Sequence, residues 1–197
     1  MNVSSQIIEF AKANNGIVTA ADITSRGIRR GNLKALADSG RLEKTARGVY
    51  ILPEIWEDEF VNLQSRFKKG IFSHETALFL WDLTDRTTNR YAMTFPEAYN
   101  LTSAKNEAIC TTTVKKAWYD IGKTTVKSPG GNSIIAYNME RTLCDLLRKR
   151  SGVDAGITAE AFKRYLARKD KNIPLLSQYG SLFHIETKVR RYLEVLL

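Results

Sequence analysis

The sequence predicts an α+β fold in two parts, on three observations. Three short helical periodicities fill residues 4–38 and lead directly into two β-prone runs at 41–45 and 48–52. Between residues 90 and 137, strand-like runs alternate with turn material. Strongly apolar helical stretches flank those runs, at 73–83 and from 138 onward. Helices packed on an antiparallel or mixed sheet make an α+β domain. The expected organisation is therefore an N-terminal module over 1–52, a linker helix over 53–70 and a larger mixed α/β domain over 71–197 that ends in basic helices.

Ser4 to Asn14 places Ile7, Ile8, Phe10 and Ala11 on one side of a short helix with a Ser cap, ended by Asn14-Asn15-Gly16. An extended piece, Gly16 to Thr19, enters a second helix of about two turns. Thr19 and Asp22 stand at capping-box spacing there, although Glu or Gln is the usual partner. Ser25-Arg26-Gly27 closes it, the glycine supplying the positive φ of a tight interhelical turn. A third helix is expected from near Ile28-Arg29 to Asp38, stopping at Ser39-Gly40. Its Leu33, Leu36 and Ala37 share an inward stripe and leave Arg30, Gly31 and Lys34 outward. An exposed glycine costs helix stability, which makes sense where a side chain would hold the helix off a ligand. Arg41 to Thr45 and Gly48 to Leu52 then form a hairpin with Lys44 and Arg47 at its tip.

Three helices and a basic hairpin in this order are a winged helix-turn-helix, whose third helix enters the DNA major groove. Arg26, Arg29, Arg30, Asn32, Lys34, Lys44 and Arg47 are the candidate contacts. Arg can pair with guanine and Asn with adenine, while any of the cations can meet phosphate, and the sequence leaves these alternatives open. A module of this shape that binds protein instead is the competing reading.

The charge supports a polyanionic partner. Residues 1–52 hold 8 Lys/Arg against 4 Asp/Glu, residues 53–145 hold 11 against 12, and residues 146–197 hold 11 against 5, for a net charge of +9. A near-neutral middle between basic ends suggests two surfaces for one polyanion, or one face built from both. Lys163, Arg164, Arg168, Lys169, Lys171, Arg190 and Arg191 form the second candidate surface, for DNA or for another task. The alternative is simple solvation of exposed helices.

In the remainder, Pro53 to Gly70 turns from acidic to basic around a helix with Ile55, Phe60, Leu63 and Phe67 inward. Ser73 to Leu83 is an apolar, Ser-capped helix. Strands are expected at Arg90–Phe95, Ala108–Val114, Lys123–Lys127 and Ser133–Tyr137. Helices follow at Asn138–Arg148, near Thr158–Arg168, and from about Leu175 to the end.

Catalytic constellations are missing from the pattern. His74 and His184 have no second ligand at metal-binding spacing. Gly122-Lys123-Thr124 resembles the end of a phosphate-binding loop, but Ala117 stands where its first glycine is needed and a strand follows where a helix is required. No nucleophile elbow occurs. Cys110 and Cys144 are single residues, expected as small core thiols. The expectation is a protein that is not an enzyme and needs neither cofactor nor metal. With 43% apolar and 26% charged residues the chain can build a core. It shows neither a signal peptide nor a membrane-spanning run, so a cytoplasmic location is expected.

Arg47-Gly48-Val49-Tyr50, Ser73-His74-Glu75-Thr76-Ala77-Leu78, Tyr91 to Pro96, and Glu140-Arg141-Thr142-Leu143-Cys144-Asp145-Leu146-Leu147 occur in that order. In this the chain resembles, over essentially its whole length, the AbiEi antitoxins of bacterial abortive-infection (phage-resistance) systems. The resemblance implies a two-gene operon whose other product is a nucleotidyltransferase-like toxin. It implies repression of the protein's own promoter through the N-terminal module, with protomers on inverted repeats. It also implies type IV antagonism of the toxin without a stable complex. Ser73, His74, Glu140, Arg141 and Asp145 would then mark the antitoxin domain; the competing reading is an ion-pair network tying helix to sheet for the charged ones and a hydrogen-bonded structural role for His74. The alternative function is a stand-alone winged-helix regulator with a ligand- or partner-sensing C-terminal domain.

Overall fold

Asn2 starts the first helix: its side-chain oxygen accepts from the Ser4 N–H at 3.2 Å. Helix α1 (Val3–Ala13) is therefore capped ahead of the Ser4 position that the sequence suggests, because Asn caps as well as Ser. The structure is a computed structural model that describes residues 2–87, 90–148 and 152–196. Strand β1 (Ile17–Thr19) leads into α2 (Ala20–Ser25) through a complete capping box. The Thr19 N–H donates to Asp22 Oδ2 at 2.9 Å and the Asp22 N–H returns to Thr19 Oγ1 at 3.2 Å. Asp thus substitutes for Glu.

Helix α2 ends in a Schellman motif. Gly27, at φ +72°, donates to Thr24 O, and Ile28 donates to Ile23 O, each at 3.0 Å. That closure commits Ile28 to the core and carries the chain through a turn. Helix α3 (Gly31–Asp38) consequently begins later than the Ile28-Arg29 start expected, and Arg29 and Arg30 lie in the turn ahead of it. Gly40 ends α3 in the same manner, with Gly40 N–H on Ala37 O and Arg41 N–H on Leu36 O.

The wing is β2 (Glu43–Ala46) and β3 (Val49–Ile51), with Gly48 at φ +80° in the turn between them. Strand β1 pairs antiparallel with β3, giving a three-stranded sheet in the order β1-β3-β2. Ile7, Val18, Ile23, Leu33, Leu36 and Leu42 close the core beneath. Each fully buried side chain of this kind contributes about 1.5–3 kcal/mol. Helix α4 (Glu59–Arg66) is capped by Asp58, which accepts from the Phe60 and Val61 N–H groups, and it packs on the wing strands. Asp58 Oδ2 also accepts from Ser128 Oγ and, at 2.7 Å, from Asn132 Nδ2. One compact unit accordingly comprises Met1–Lys68 with Lys127–Ile134.

The second unit comprises Lys69–Val126 and Ile135–Leu197. Its elements are β4 (Ile71–Phe72), α5 (His74–Leu80), β5 (Ala92–Pro96), α6 (Thr102–Asn106), β6 (Cys110–Val114), α7 (Lys116–Tyr119), β7 (Lys123–Lys127), β8 (Ser133–Tyr137), α8 (Met139–Leu146), α9 (Ala155–Ala167), α10 (Ile173–Leu182) and α11 (Glu186–Leu196). The strands form a mixed five-stranded sheet in the order β6-β5-β4-β8-β7. Strand β4 runs antiparallel to β5 and parallel to β8, and β5 runs parallel to β6. An α+β protein with an N-terminal winged helix-turn-helix and a larger mixed domain is thus what the chain forms. Among the described residues no helix is long and apolar enough to cross a membrane.

Three further expectations need correction. The single helix expected from about Leu175 to the end is two, α10 and α11, broken at His184 (φ +56°) by the Ile185 N–H bonding back to Gly180 O at 2.9 Å. Gly180 lets α11 pack closely there, because Val189 Cγ2 would stand 3.1 Å from a Cβ at that position, a tight contact. Leu197, the last residue of that expected helix, lies outside the described residues. The helix expected near Thr158 begins at Ala155, because Asp154 accepts from the Gly156 and Ile157 N–H groups. Finally, only Cys144 is a core thiol, its pKa pushed up to about 12 by burial. Cys110 is exposed, as the first residue of the edge strand β6.

Candidate nucleic-acid interface

The turn between α2 and α3 presents the cations that the sequence places on a helix. Arg30 Nε donates to Thr24 Oγ1 at 2.9 Å, and Thr24 Oγ1 donates to Ala20 O at 2.7 Å. The hydroxyl is thereby oriented by α2 and in turn holds the exposed Arg30 guanidinium at Nε, with neither terminal nitrogen bonded among the described residues. Arg26 lies with its guanidinium carbon 4.0 Å from the centroid of the Phe10 ring, which holds it to α1. Arg29 is exposed, and its carbonyl accepts from both the backbone N–H and the side-chain amide of Asn32, at 3.1 and 2.9 Å. Asn32 therefore commits an amide N–H to its own helix start. Lys34 is exposed on α3 and has no hydrogen-bond or ion-pair partner among the described residues.

Gly31 opens α3 between these groups. It is exposed, and nothing lies within 4 Å of where its Cβ would be. The first residue of α3 thus carries no side chain, with Arg30 beside it. On the wing, Arg47 occupies the turn, while Lys44 sits within β2 opposite Tyr50, short of the tip on which the sequence places it. Thr24 and Phe10 are the supporting residues that sequence reasoning misses. Their signal is indirect: Thr24 and Arg30 are six residues apart across a glycine-closed turn, a proximity visible only once the Schellman motif is recognised.

Ser73, His74, Glu140, Arg141 and Asp145 are all buried in the second unit. Arg141 is 0% exposed. Its Nε bonds Asp145 Oδ2 at 2.9 Å, its Nη1 bonds the carbonyls of Trp118 and Ile121, and its guanidinium lies between the rings of Tyr137 and Phe183, each at 4.3 Å. Gly122, at φ +76°, makes room for it, since a Cβ there would stand 2.5 Å from Arg141 Cβ. The Gly122-Lys123-Thr124 sequence is thus the entry to a strand. Glu140 Oε1 accepts from the Tyr165 hydroxyl at 2.9 Å and the Asn172 N–H at 3.3 Å. His74 Nδ1 is 3.0 Å from Ser73 Oγ. Burial holds the His74 pKa below its ordinary value, against the opposing pull of Asp145. No three His, Cys, Asp or Glu side chains among the described residues gather as a metal site.

The second basic set is largely committed within its own unit. Arg164 is paired with Asp85 and Glu160, Arg168 with Asp170, and Arg190 with Glu186. Lys171 Nζ donates to Arg168 O at 3.0 Å. Lys163, Lys169 and Arg191 are exposed and have no such partner among the described residues.

The crystal structure of the RV2827C protein from Mycobacterium tuberculosis matches with a TM-score of 0.56 at 16% identity, over 90% of this chain and 71% of that one, a likeness of fold. No curated protein matches the chain significantly. Residues 5–53, from α1 to the end of the wing, match the family described as transcriptional regulator, AbiEi antitoxin, which supports an antitoxin or regulator role. The winged helix-turn-helix of this chain is therefore the part that is similar to the AbiEi antitoxin family of transcriptional regulators.

Proposed function

We infer that the protein is the antitoxin of a type IV, abortive-infection toxin–antitoxin pair, and that it represses its own operon by binding inverted repeats in the promoter. The observation that carries the DNA half is the exposed cationic turn at Arg29-Arg30 beside the open position at Gly31 that starts α3, with Arg47 on the wing. A helix start without a side chain at Gly31 can approach base edges closely. Arg30, held at Nε by Thr24, offers its terminal nitrogens as a fork that fits O6 and N7 of guanine. Arg26, Arg29, Lys34, Lys44 and Arg47 serve the phosphates on either side. Two protomers would occupy half-sites about 34–36 Å apart, one helical turn of DNA. The protein performs no catalytic step and requires no cofactor. The second domain counteracts a nucleotidyltransferase-like toxin without a stable complex.

The test uses the full chain, its own upstream DNA at one fixed salt concentration, and the neighbouring toxin gene. Replacing Arg29, Arg30 and Arg47 together with Ala is expected to abolish operator binding yet leave rescue of toxin-arrested growth intact. Unchanged operator affinity would overturn the DNA reading. Repression by the unmodified chain without any rescue would leave a stand-alone regulator and remove the antitoxin half.

A further inference from the structure

We propose that a cavity in the second domain, between the end of α8, the start of α9 and α11, binds a small amphiphilic carboxylate: one anionic head on an apolar body. The cavity has a volume of about 530 Å³, within the range of sites that take drug-sized ligands. Its floor and walls are mostly apolar, with Leu147 at the end of α8 and Tyr192 and Val195 on α11. Val195 is 76% exposed at this opening, an apolar side chain with little protein over it.

Charge fixes the class of ligand. Arg148, Lys188 and Arg191 all line the cavity, and among the described residues no Asp or Glu does. Three cations around an apolar surface repel one another, and an anion placed among them relieves that repulsion. Their commitments differ. Arg148 Nη1 lies 3.3 Å from Asp145 Oδ1, with its guanidinium over Trp118. Lys188 Nζ spends one N–H on Leu147 O at 2.6 Å, which pins the ammonium at the cavity wall with two donors to spare. Arg191 is exposed and has no partner among the described residues. A planar guanidinium with nothing to bind matches a carboxylate through two parallel hydrogen bonds. Arg191 therefore takes the head, Lys188 adds charge, and the body lies along Leu147, Tyr192 and Val195. The inference does not depend on DNA binding, because none of these residues belongs to the winged helix.

Calorimetric titration of the full chain with sodium decanoate tests it, with acetate as the head alone and octan-1-ol as a neutral amphiphile. Saturable binding of decanoate is expected, with both controls weaker by about tenfold or more, a difference of roughly 1.4 kcal/mol. Arg191→Glu and Val195→Glu alter exposed side chains, so the fold should survive, as unchanged circular dichroism would show. Each should weaken decanoate by about tenfold. Lys163→Glu, the same charge change on the exposed face of α9, should leave it unaltered. The proposal is overturned by absence of saturable binding, by octan-1-ol binding equally, by full affinity in Arg191→Glu, or by an equal loss in Lys163→Glu. Displacement of bound decanoate by duplex DNA would also overturn it, assigning these cations to a nucleic-acid footprint.

Discussion

A hydroxyl and an imidazole show how much one side chain can decide in this protein. Thr24 holds Arg30 by a single bond of 2.9 Å, so the guanidinium enters any complex with part of its conformational entropy already lost. Thr24→Val keeps the shape and removes the acceptor. It should weaken operator binding less than Arg30→Ala and blunt discrimination at one base pair, whereas Arg30→Ala should cost about 1–3 kcal/mol at that pair. Binding measured on operators substituted one position at a time checks both, and uniform weakening across all sequences would make Arg30 a phosphate contact. His74 acts on stability instead. Burial lowers its pKa, Asp145 and Glu75 oppose the shift, and Arg141 and Arg148 add to it. On acidification the unfolded chain takes up a proton near pH 6.5 that the folded one resists, so unfolding is favoured as pH falls. Urea denaturation between about pH 7.5 and 5.5 should show that loss. His74→Asn, which tolerates the positive φ, should flatten the curve.

Among the elements, α8 bears the greatest risk and gives the greatest order. All of its residues from Met139 to Leu146 are buried, Glu140, Arg141 and Asp145 included. An i, i+4 ion pair removed from water is weak evidence of stabilisation, but removing Arg141 leaves the buried Asp145 carboxylate with the half-buried Arg148 alone, at 3.3 Å. Arg141→Met should therefore cost about 3–5 kcal/mol in equilibrium unfolding. Adding Asp145→Leu should recover only part of it, because the Trp118 and Ile121 carbonyls that Arg141 bonds would remain without their donor. Full recovery in the double variant would show that those two bonds contribute nothing. The helix thus ties the sheet entry at Gly122 to the core formed with α5, α9 and α10.

For the molecule as a whole, the excess of positive charge has to be sorted by what each cation already touches. Arg164 and Arg190 neutralise carboxylates of their own domain, so they would have to give up an ion pair before displacing a counterion from a DNA phosphate. Arg29, Arg30 and Arg47 have no carboxylate partner among the described residues. The log–log salt dependence of operator binding should accordingly flatten by about 0.9 for each phosphate contact removed from the winged helix. It should stay unchanged in Arg164→Gln and Arg190→Gln. A slope that falls with the latter pair would place the C-terminal helices on the DNA despite their ion pairs.

The sequence by itself determined the winged helix and most strands of the second domain. Their signals are local: the Thr19–Asp22 box, the glycines at 27, 40 and 48, and alternation in runs such as Lys123–Lys127. The two-residue central strand β4 left no period to detect, because both Ile71 and Phe72 are buried and the strand is defined by its neighbours β5 and β8. The start of α3 was displaced because a Schellman closure depends on which carbonyls the turn reaches, not on apolar spacing. Tertiary structure alone decided that Thr24 orients Arg30, that Arg141 lies between two rings, and that Arg148, Lys188 and Arg191 surround one apolar cavity. Each of these joins residues from separate elements, and a hydrophobic or charge pattern along one element carries no information about the atoms packed against it.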